Sequence, residues 1–305
     1  MIVQNVYLPL ISYMGKTIEE GFSAFIEKLK PLSSEHDKAA SHKDSVKRCM
    51  ENSFGCTGFF ETGSFGNGTG VRHYSDTDYF ARCPKDNFYT DSSTTLRLVK
   101  EALQSTFPRT SGIEVKKPAV RIPFGLLASE RLELTPAYYG GLITTPVGDK
   151  YAYHLPDYDG GWMRSSPGAH IDYVNREDKR LGGKLKPLIQ LIKAWKFYNG
   201  VPIYSFYLEL RVTKYAESEN AIIYDVDVRN IMKFLYDNDL PSVQDPMGIS
   251  GLVRACKTDA KKTIALSKLS TGYTRAVKAF DERSGNIDNA FYWWNMFYND
   301  KFPAR

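Results

Sequence analysis

The chain has 305 residues, a length that accommodates one large domain or two lobes around a shared cleft. Hydrophobic residues make up 42% and charged residues 25% of the total, which is typical of a globular protein and excludes a disordered or fibrous chain. No run approaches the ~20 apolar residues that cross a bilayer, and the first residues lack the basic start and apolar stretch of a signal peptide, so we expect a cytoplasmic protein.

The net charge of +5 is modest, but basic residues are concentrated between positions 176 and 196. Only Glu177 and Asp178 oppose them within that stretch. The concentration predicts either an anionic partner or a solvated helix face, and the charge pattern alone does not decide between them.

In chain order, the first predicted elements are helices. Apolar residues recur at helical spacing from Ile18 to Leu32, and a polar, charged stretch predicts a second helix from Ser34 to Asn52. Residues 53–141 contain glycine-rich punctuation and short alternating apolar runs, which are typical of strands. The Gly-, Pro-, Tyr- and Asp-rich composition from Tyr139 to Gly168 predicts a loop region.

The rest of the chain is predicted to be mainly helical. After Gly182-Gly183 one helix combines an apolar face with a polar flank, and the aromatic residues 291–298 predict a packed terminal helix. We therefore predict an α+β fold, with N-terminal helices and a sheet-bearing core over residues 1–160 and a helical lobe over residues 161–305.

Asp-x-Asp spacing occurs four times, so the spacing alone is not diagnostic. The pairs are Asp76/Asp78, Asp157/Asp159, Asp225/Asp227 and Asp237/Asp239. The second and fourth pairs lie among turn residues, and the third precedes a helix predicted to start near Val228. We expect structural roles for these three pairs.

The first pair differs because a segment with four glycines in eight residues, from Gly63 to Gly70, precedes it. If Ser75 to Phe80 is a strand, Asp76 and Asp78 lie on the same face, where their charges repel unless a cation bridges them. Magnesium prefers carboxylate and phosphate oxygens, and phosphoryl transfer commonly uses two such ions. The pair therefore predicts a magnesium site.

Three further residues extend this predicted site. The glycines would let backbone N–H groups at Gly63 approach a triphosphate closely, and the Ser64 hydroxyl adds a donor. No Gly-Lys-Ser/Thr follows, so the segment is not a Walker loop. Glu133 lies on a predicted strand and would project into the cleft as a third ligand; the alternative is an exposed strand carboxylate paired with Arg131.

Taken in this order, the motifs resemble a known family. Gly63-Ser64, Asp76-x-Asp78 and a strand acid before Pro136 match the signature of the polymerase-beta-like nucleotidyltransferase superfamily. Residues 184–195 and 205–209 are similar to the helix and the Ser-aromatic segment of oligoadenylate synthases and cyclic GMP-AMP synthase. Within that group the chain looks most like the bacterial CD-NTases.

The resemblance implies a palm-like mixed sheet, a helical oligoadenylate-synthase-like lobe, and a nucleotide bound in the cleft between them. In that pattern Lys193 and Ser205 hold the donor triphosphate, and Phe206 stacks on a base. Gln190 stands where many relatives carry arginine, so a phosphate contact is expected either from Gln190 or from Lys186 one turn away.

The resemblance also implies an activity. A ribose hydroxyl of one nucleotide attacks the α-phosphate of another, pyrophosphate leaves, and a second round closes a cyclic di- or trinucleotide. Asp76, Asp78 and Glu133 would bind two magnesium ions, for which manganese can substitute, although the family usually has Asp at the position of Glu133.

Nucleoside triphosphates are the implied donor and acceptor, and neither a membrane nor an obligatory nucleic acid is implied. The product would act on a separate effector protein in bacterial anti-phage (CBASS) signalling, with regulatory protein partners possible. The alternatives are a nucleotidyltransferase that modifies RNA, protein or a small molecule, and a catalytically dead nucleic-acid-binding sensor that uses residues 176–196.

Overall fold

The structure is a computed structural model that describes residues 16–31, 33–74, 76–125 and 130–305. These residues form the following helices: α1 Ile18–Leu29, α2 Ser33–Phe54, the single turn α3 Gly63–Gly66, α4 Ser92–Thr106, α5 Pro167–Arg180, α6 Leu185–Tyr198, α7 Ser205–Ala216, α8 Tyr224–Asp237, α9 Asp259–Glu282 and α10 Ile287–Phe297. In the described part of the chain, no helix is both long and apolar enough to span a membrane.

The strands form one large mixed sheet and one small hairpin. Their bounds are β1 Gly58–Thr62, β2 Thr77–Arg82, β3 Glu114–Lys116, β4 Ala119–Phe124, β5 Glu130–Thr145, β6 Gly148–Pro156, β7 Trp162–Ser165, β8 Val243–Gln244 and β9 Leu252–Val253. The large sheet has the order β1-β2-β5-β4-β3, with β6 and β7 continuing from the second half of β5. Only β2 and β5 run parallel among its described pairs, so the sheet is mixed and the predicted α+β fold is confirmed.

The two N-terminal helices form close to their predicted positions. The Thr17 hydroxyl accepts a hydrogen bond from the Glu20 backbone, and the Glu20 carboxylate accepts one from the Thr17 backbone, which is a complete capping box. The first helix ends at Leu29, and Leu32 lies outside the described residues.

The described residues form three apolar clusters. The first lies between the sheet and helices α2 and α4, the second fills the helical lobe, and a small third one joins β2, β5 and β6 through Phe80, Ala137, Tyr153 and Leu155. Helix α1 belongs to the second: its Phe22 ring contacts Trp294 and Phe302 at centroid distances of 4.9 and 5.1 Å. The division at residue 160 remains a prediction, but helix α1, which lies before that boundary, packs with α6, α8 and α10 of the helical lobe rather than with the sheet.

The predicted loop over residues 139–168 is wrong, because most of this region forms strands β5, β6 and β7. Gly140-Gly141 marks a shift in the β5–β6 register, and Gly148 closes the hairpin with a φ of +91°. The Asp157 carboxylate accepts backbone hydrogen bonds from Asp159 and Gly161, which shapes the β6–β7 turn. Glycine and aspartate therefore punctuate a three-stranded meander here.

The Asp225/Asp227 pair has the structural role predicted for it, although the helix begins at Tyr224 rather than near Val228. Asp227 accepts a hydrogen bond from the Tyr215 hydroxyl at 2.6 Å, and Asp225 pairs with Arg283 at 3.2 Å. Asp237 ends the helix in an ion pair with Lys233. None of these carboxylates faces the predicted metal site.

Candidate functional site

The three predicted acidic ligands lie at neighbouring points of the sheet. Asp78 on β2 is paired in register with Glu133 on the parallel strand β5. Asp76 directly precedes β2, which begins at Thr77, and Ser75 lies outside the described residues. The strand register brings together two carboxylates that are 55 positions apart in the sequence, a proximity that no local pattern contains.

Two arginines neutralise this acidic group. Arg121 stands opposite Glu133 in the β4–β5 register, and its Nε and Nη2 donate to Glu133 Oε1 at 2.9 and 2.7 Å. The same Nη2 lies 3.2 Å from Asp76 Oδ2, and Arg131 Nε lies 2.8 Å from Asp76 Oδ1. The alternative that paired Glu133 with Arg131 therefore named the wrong arginine. The alternating run Val120-Arg121-Ile122 was the available signal for Arg121.

Burial, and then the neighbouring negative charges, oppose ionisation of two of these acids. Burial, followed by the charges of Glu133 and Asp76, raises the pKa of the Asp78 carboxyl well above its usual value. Burial also raises the pKa of Glu133 despite its hydrogen bond from Arg121. A cation placed among the three carboxylates would relieve this cost.

The set of donors fits magnesium, but the side chains are turned away from a shared ion. Three carboxylates are ligands that magnesium prefers. As the side chains stand, no group of three His, Cys, Asp or Glu residues in the described chain converges closely enough to hold a metal. Asp76 and Glu133 would have to exchange their contacts with Arg121 for contacts with the ion.

Gly63 lies directly against Asp78. Its φ is +62°, and a Cβ atom at this position would lie 1.9 Å from Asp78 Oδ2. Only glycine therefore fits here. The segment that follows is the helical turn α3, whose first residues are Gly63 and Ser64, rather than an open loop.

Lys193 lies beneath this turn and is fully buried. Its ammonium group pairs with the Glu209 carboxylate and donates to Ser64 Oγ at 2.8 Å and Thr69 Oγ1 at 3.1 Å. Burial raises the pKa of Glu209, but the Lys193 charge and hydrogen bonds outweigh it, so the net shift is downward. The buried pair is therefore ionised, and it fixes the Ser64 side chain from below.

Gln190 is also buried and donates from its side-chain amide to the Gly70 carbonyl at 2.7 Å. It therefore holds the end of the glycine-rich segment. Lys186, one turn away, has its ammonium group 3.5 Å from the position that a Cβ on Gly68 would occupy. Both residues that were considered for a phosphate contact thus lie against this segment.

Ser205 begins helix α7, and its hydroxyl accepts a hydrogen bond from Lys196 at 2.6 Å. Burial, and then the charge of Lys193, lower the pKa of Lys196 to about 8. The sequence placed Lys196 in a basic stretch without assigning it to the site. Its position one turn after Lys193 was the available signal.

The predicted residues meet an open cleft of about 1300 Å³ to different extents. Gly63, Asp78, Glu133 and Phe206 line it directly, and Phe206 is 37% exposed. The residues that do not line it are Asp76, Ser64, Gln190, Lys193 and Ser205.

Much of the basic stretch at 176–196 is engaged within the protein. Arg176 and Arg180 both pair with Glu177, which is buried, and Arg180 also donates to the carbonyls of Ala216 and Glu219. Lys184 donates to the Ile222 carbonyl at 3.4 Å. These contacts favour the structural interpretation of the stretch over an extended anion-binding face.

Comparisons with known proteins give a consistent picture. No family model matches the chain. It is 21% identical over 233 residues to a probable cyclic nucleotide synthase of Bacillus cereus (strain VD146), covering 75% of this chain and 69% of that protein. It is 28% identical over 171 residues to the cyclic AMP-AMP-AMP synthase of an Acinetobacter species, covering 52% of this chain and 49% of that protein.

Solved structures share the fold at low sequence identity. CdnC of Escherichia coli MS115-1, solved with ATP, superposes with a TM-score of 0.73 at 14% identity over 94% of this chain and 99% of that one. The cyclic AMP-GMP synthase DncV of Vibrio cholerae, solved with a linear intermediate, gives 0.65 at 19% identity over 94% and 80%. The CD-NTase CdnG of Bradyrhizobium diazoefficiens, solved with GTP, gives 0.65 at 12% identity over 92% and 98%.

Proposed function

We propose, on the premise that this chain has the fold of the bacterial CD-NTases and resembles their sequences, that it is a nucleotidyltransferase that joins ribonucleoside triphosphates into a cyclic di- or trinucleotide. The observation that carries the proposal is the pairing of Asp78 with Glu133 on parallel strands, beside Gly63 and in one cleft with Phe206.

Asp76, Asp78 and Glu133 are the residues that would hold two magnesium ions, or manganese in their place. When bound, the ions lower the pKa of the attacking hydroxyl and neutralise the charge that develops on phosphate. For the carboxylates to bind the ions, Arg121 must first release Asp76 and Glu133. The guanidinium group of Arg121 is then free beside the acidic group, where it can donate hydrogen bonds to phosphate oxygens.

The donor nucleotide is bound by groups at the first residues of two helices, α3 and α7. The backbone at Gly63 and the Ser64 hydroxyl offer donors at the start of α3, and the Lys193–Glu209 pair keeps Ser64 in place. Lys196 and Ser205 offer a positive charge and a hydroxyl at the start of α7. Because Lys193 is buried and Lys196 holds Ser205, we assign the direct triphosphate contact to Lys196 and a supporting role to Lys193.

Phe206 provides the base contact. Its ring lines the cleft and remains partly exposed, so an incoming base can cover it. Stacking of a base on an aromatic side chain contributes ~1–3 kcal/mol and tolerates different bases. With the donor held in this way, a ribose hydroxyl of the second nucleotide attacks the α-phosphate and pyrophosphate leaves. Each further attack, including the one that closes the ring, forms another phosphodiester bond and releases another pyrophosphate.

The test is a reaction of the purified chain with magnesium chloride and all four ribonucleoside triphosphates. We expect release of pyrophosphate and a phosphatase-resistant cyclic product, identified by mass spectrometry with labelled triphosphates. The Asp76→Ala, Asp78→Ala double variant is the control and should release none. Transfer of nucleotide to added RNA, protein or a small molecule, without a cyclic product, would show that the chain modifies an acceptor instead.

The dead-sensor alternative predicts the opposite pattern, in which the double variant binds RNA as the wild type does and neither protein turns over nucleotide. Internal pairing of Arg176 and Arg180 argues against it. We further propose that the product acts in the bacterial cytoplasm on a separate effector of anti-phage (CBASS) signalling. The E. coli CdnC was solved in complex with a HORMA protein, which supports a search for regulatory protein partners here as well.

A further inference from the structure

The segment Asp245-Pro246-Met247-Gly248-Ile249-Ser250, which we call the Asp245 turn, is organised around one buried carboxylate. Asp245 accepts backbone hydrogen bonds from Met247, Ile249 and Ser250 at 2.9, 3.2 and 2.8 Å. Its side chain is fully buried. The short β8–β9 hairpin closes the segment on both sides. The turn therefore has one defined conformation.

His170 connects the Asp245 turn to two other parts of the protein. It lies in the first turn of α5, just after β7, and its Nε2 is 3.0 Å from both Asp245 carboxylate oxygens. Burial raises the pKa of Asp245, but His170 and the backbone donors lower it to about 2, so the carboxylate is ionised and Nε2–H donates. The imidazole ring also meets the Phe206 ring edge-on, with centroids 5.0 Å apart and planes at 86°.

These contacts all converge on the cleft. His170, Phe206, Ile249 and Ser250 line it together, although they come from three separate segments of the chain. The orientation of a partly exposed aromatic ring on the first turn of a helix is set by the side chains that pack against it. The ring that Phe206 presents to the cleft is supported at its edge by an imidazole that is itself anchored to a buried charge.

We propose that the His170–Asp245 pair is a positioning device for the nucleotide base: Asp245 and its turn anchor His170, and His170 fixes the Phe206 ring on which the base stacks. The inference rests on the proposed function, because it assigns these residues to nucleotide binding. His170 acts through Phe206 and is a positioning residue rather than a catalytic one.

The experiment measures dissociation constants for the α,β-methylene analogues of all four ribonucleoside triphosphates by isothermal titration calorimetry, with Tm and kcat measured alongside. His170→Ala should raise the Kd of the preferred analogue about 2- to 12-fold, the range expected from loss of an edge-to-face aromatic contact. Its kcat at saturating nucleotide should stay within about twofold of wild type, since the acidic group is untouched. Phe206→Ala should raise Kd about 5- to 150-fold.

Two comparisons separate positioning from general support of the fold. In the Phe206→Ala background, His170→Ala should change Kd no further, because its effect acts through that ring. His170→Gln keeps a donor for Asp245 but lacks the ring, so it should restore Tm without restoring Kd. His154→Ala is the matched control: that histidine stacks on Tyr138 at 4.9 Å, does not line the cleft, and should leave Kd unchanged.

The outcomes distinguish a failure of this inference from a failure of the proposed function. Additive effects of His170→Ala and Phe206→Ala, or recovery of Kd together with Tm in His170→Gln, would show that His170 only supports the fold. A wild type that binds an analogue as tightly as its His170 variants overturns this inference alone. A wild type that binds none of the four analogues overturns the proposed function, and the inference with it.

Discussion

Replacing Gly63 with alanine is the sharpest test of the site's geometry. The added Cβ would lie 1.9 Å from Asp78 Oδ2, whereas ordinary van der Waals contact begins at 3.4 Å. The carboxylate or the α3 turn must therefore move by about 1.5 Å, the difference between these distances. Because Gly63 also has a φ of +62°, the alanine carries a backbone cost of ~1–2 kcal/mol.

Gly182 provides a matched control. Its φ is +64°, so Gly182→Ala carries the same backbone cost, but nothing lies within 4 Å of its added Cβ. A loss of ~1–2 kcal/mol lowers Tm by roughly 2–4 °C per kcal/mol in a protein of this size class. Gly182→Ala should therefore show a modest decrease in Tm, and Gly63→Ala a decrease at least as large, because its Cβ also displaces Asp78 or the α3 turn.

Activity should separate the two variants. A displacement of ~1 Å in a positioned group can reduce turnover 100-fold, so Gly63→Ala should lose at least about that factor. Gly182→Ala should keep the wild-type rate. The assay is release of pyrophosphate with magnesium and saturating triphosphates, with Tm measured on the same preparations. If Gly63→Ala retained activity within about threefold of Gly182→Ala, the close contact with Asp78 would not be needed for the reaction.

Three further substitutions test individual roles. Glu133→Gln can still accept a hydrogen bond from Arg121, so it should keep the wild-type Tm. Its turnover should fall by more than the about 10- to 100-fold that is lost when a residue behind the metal ligands is changed. Near-normal pyrophosphate release would show that Glu133 is not the third ligand. Lys193→Ala leaves Glu209 buried without its cation, and should lower the free energy of unfolding by ~3–5 kcal/mol in denaturant titrations; an unchanged midpoint would contradict the supporting role. Lys196 carries its charge below a pKa of about 8 and loses it above, so the Kd of the wild type for ATP should rise by up to about tenfold per pH unit above pH 8. Lys196→Met should bind ATP weakly, and its Kd should not change with pH. If its Kd rose with pH as steeply as that of the wild type, another group would be responsible for the titration.

Local sequence signals located α1, α2 and the terminal helix, but α4, Ser92–Thr106, lies in the part of the chain where only strands were predicted. The apolar spacing that begins at Ile18 is contained within a few residues, and α1 forms there, although it ends at Leu29. The terminal aromatic helix is packed as predicted, with Phe291, Trp294 and Phe297 buried. The meander over residues 139–168 was missed because its glycines, prolines and tyrosines resemble a loop until the pairing of β5 with β6 is known.

In the site, too, features carried by local sequence could be predicted and features set by tertiary contacts could not. The order of Gly63-Ser64, Asp76/Asp78 and Glu133 could be recognised along the chain, and the register of β2 with β5 joins the last two. The distinct positions of Lys193 and Lys196 could not be predicted, since both lie on one helix, one turn apart. Tertiary packing buries one with Glu209 and leaves the other with Ser205. The role of Arg121 likewise depends on which strand lies beside Glu133.

The packing of α1 against the last helices has a consequence for how the chain folds. Lys16 donates to the Ala304 carbonyl across 288 positions of sequence, and Phe25 stacks obliquely on Tyr298 at 4.5 Å. We expect contacts this distant to form late in folding, because a loop of nearly the whole chain must close first. The core beneath the sheet uses residues 46–134 and can form during synthesis. The helical core, which holds Lys196 and Ser205 in place, is completed only after the final helix has emerged, so we expect the acidic strands to be ordered before these groups that bind the triphosphate.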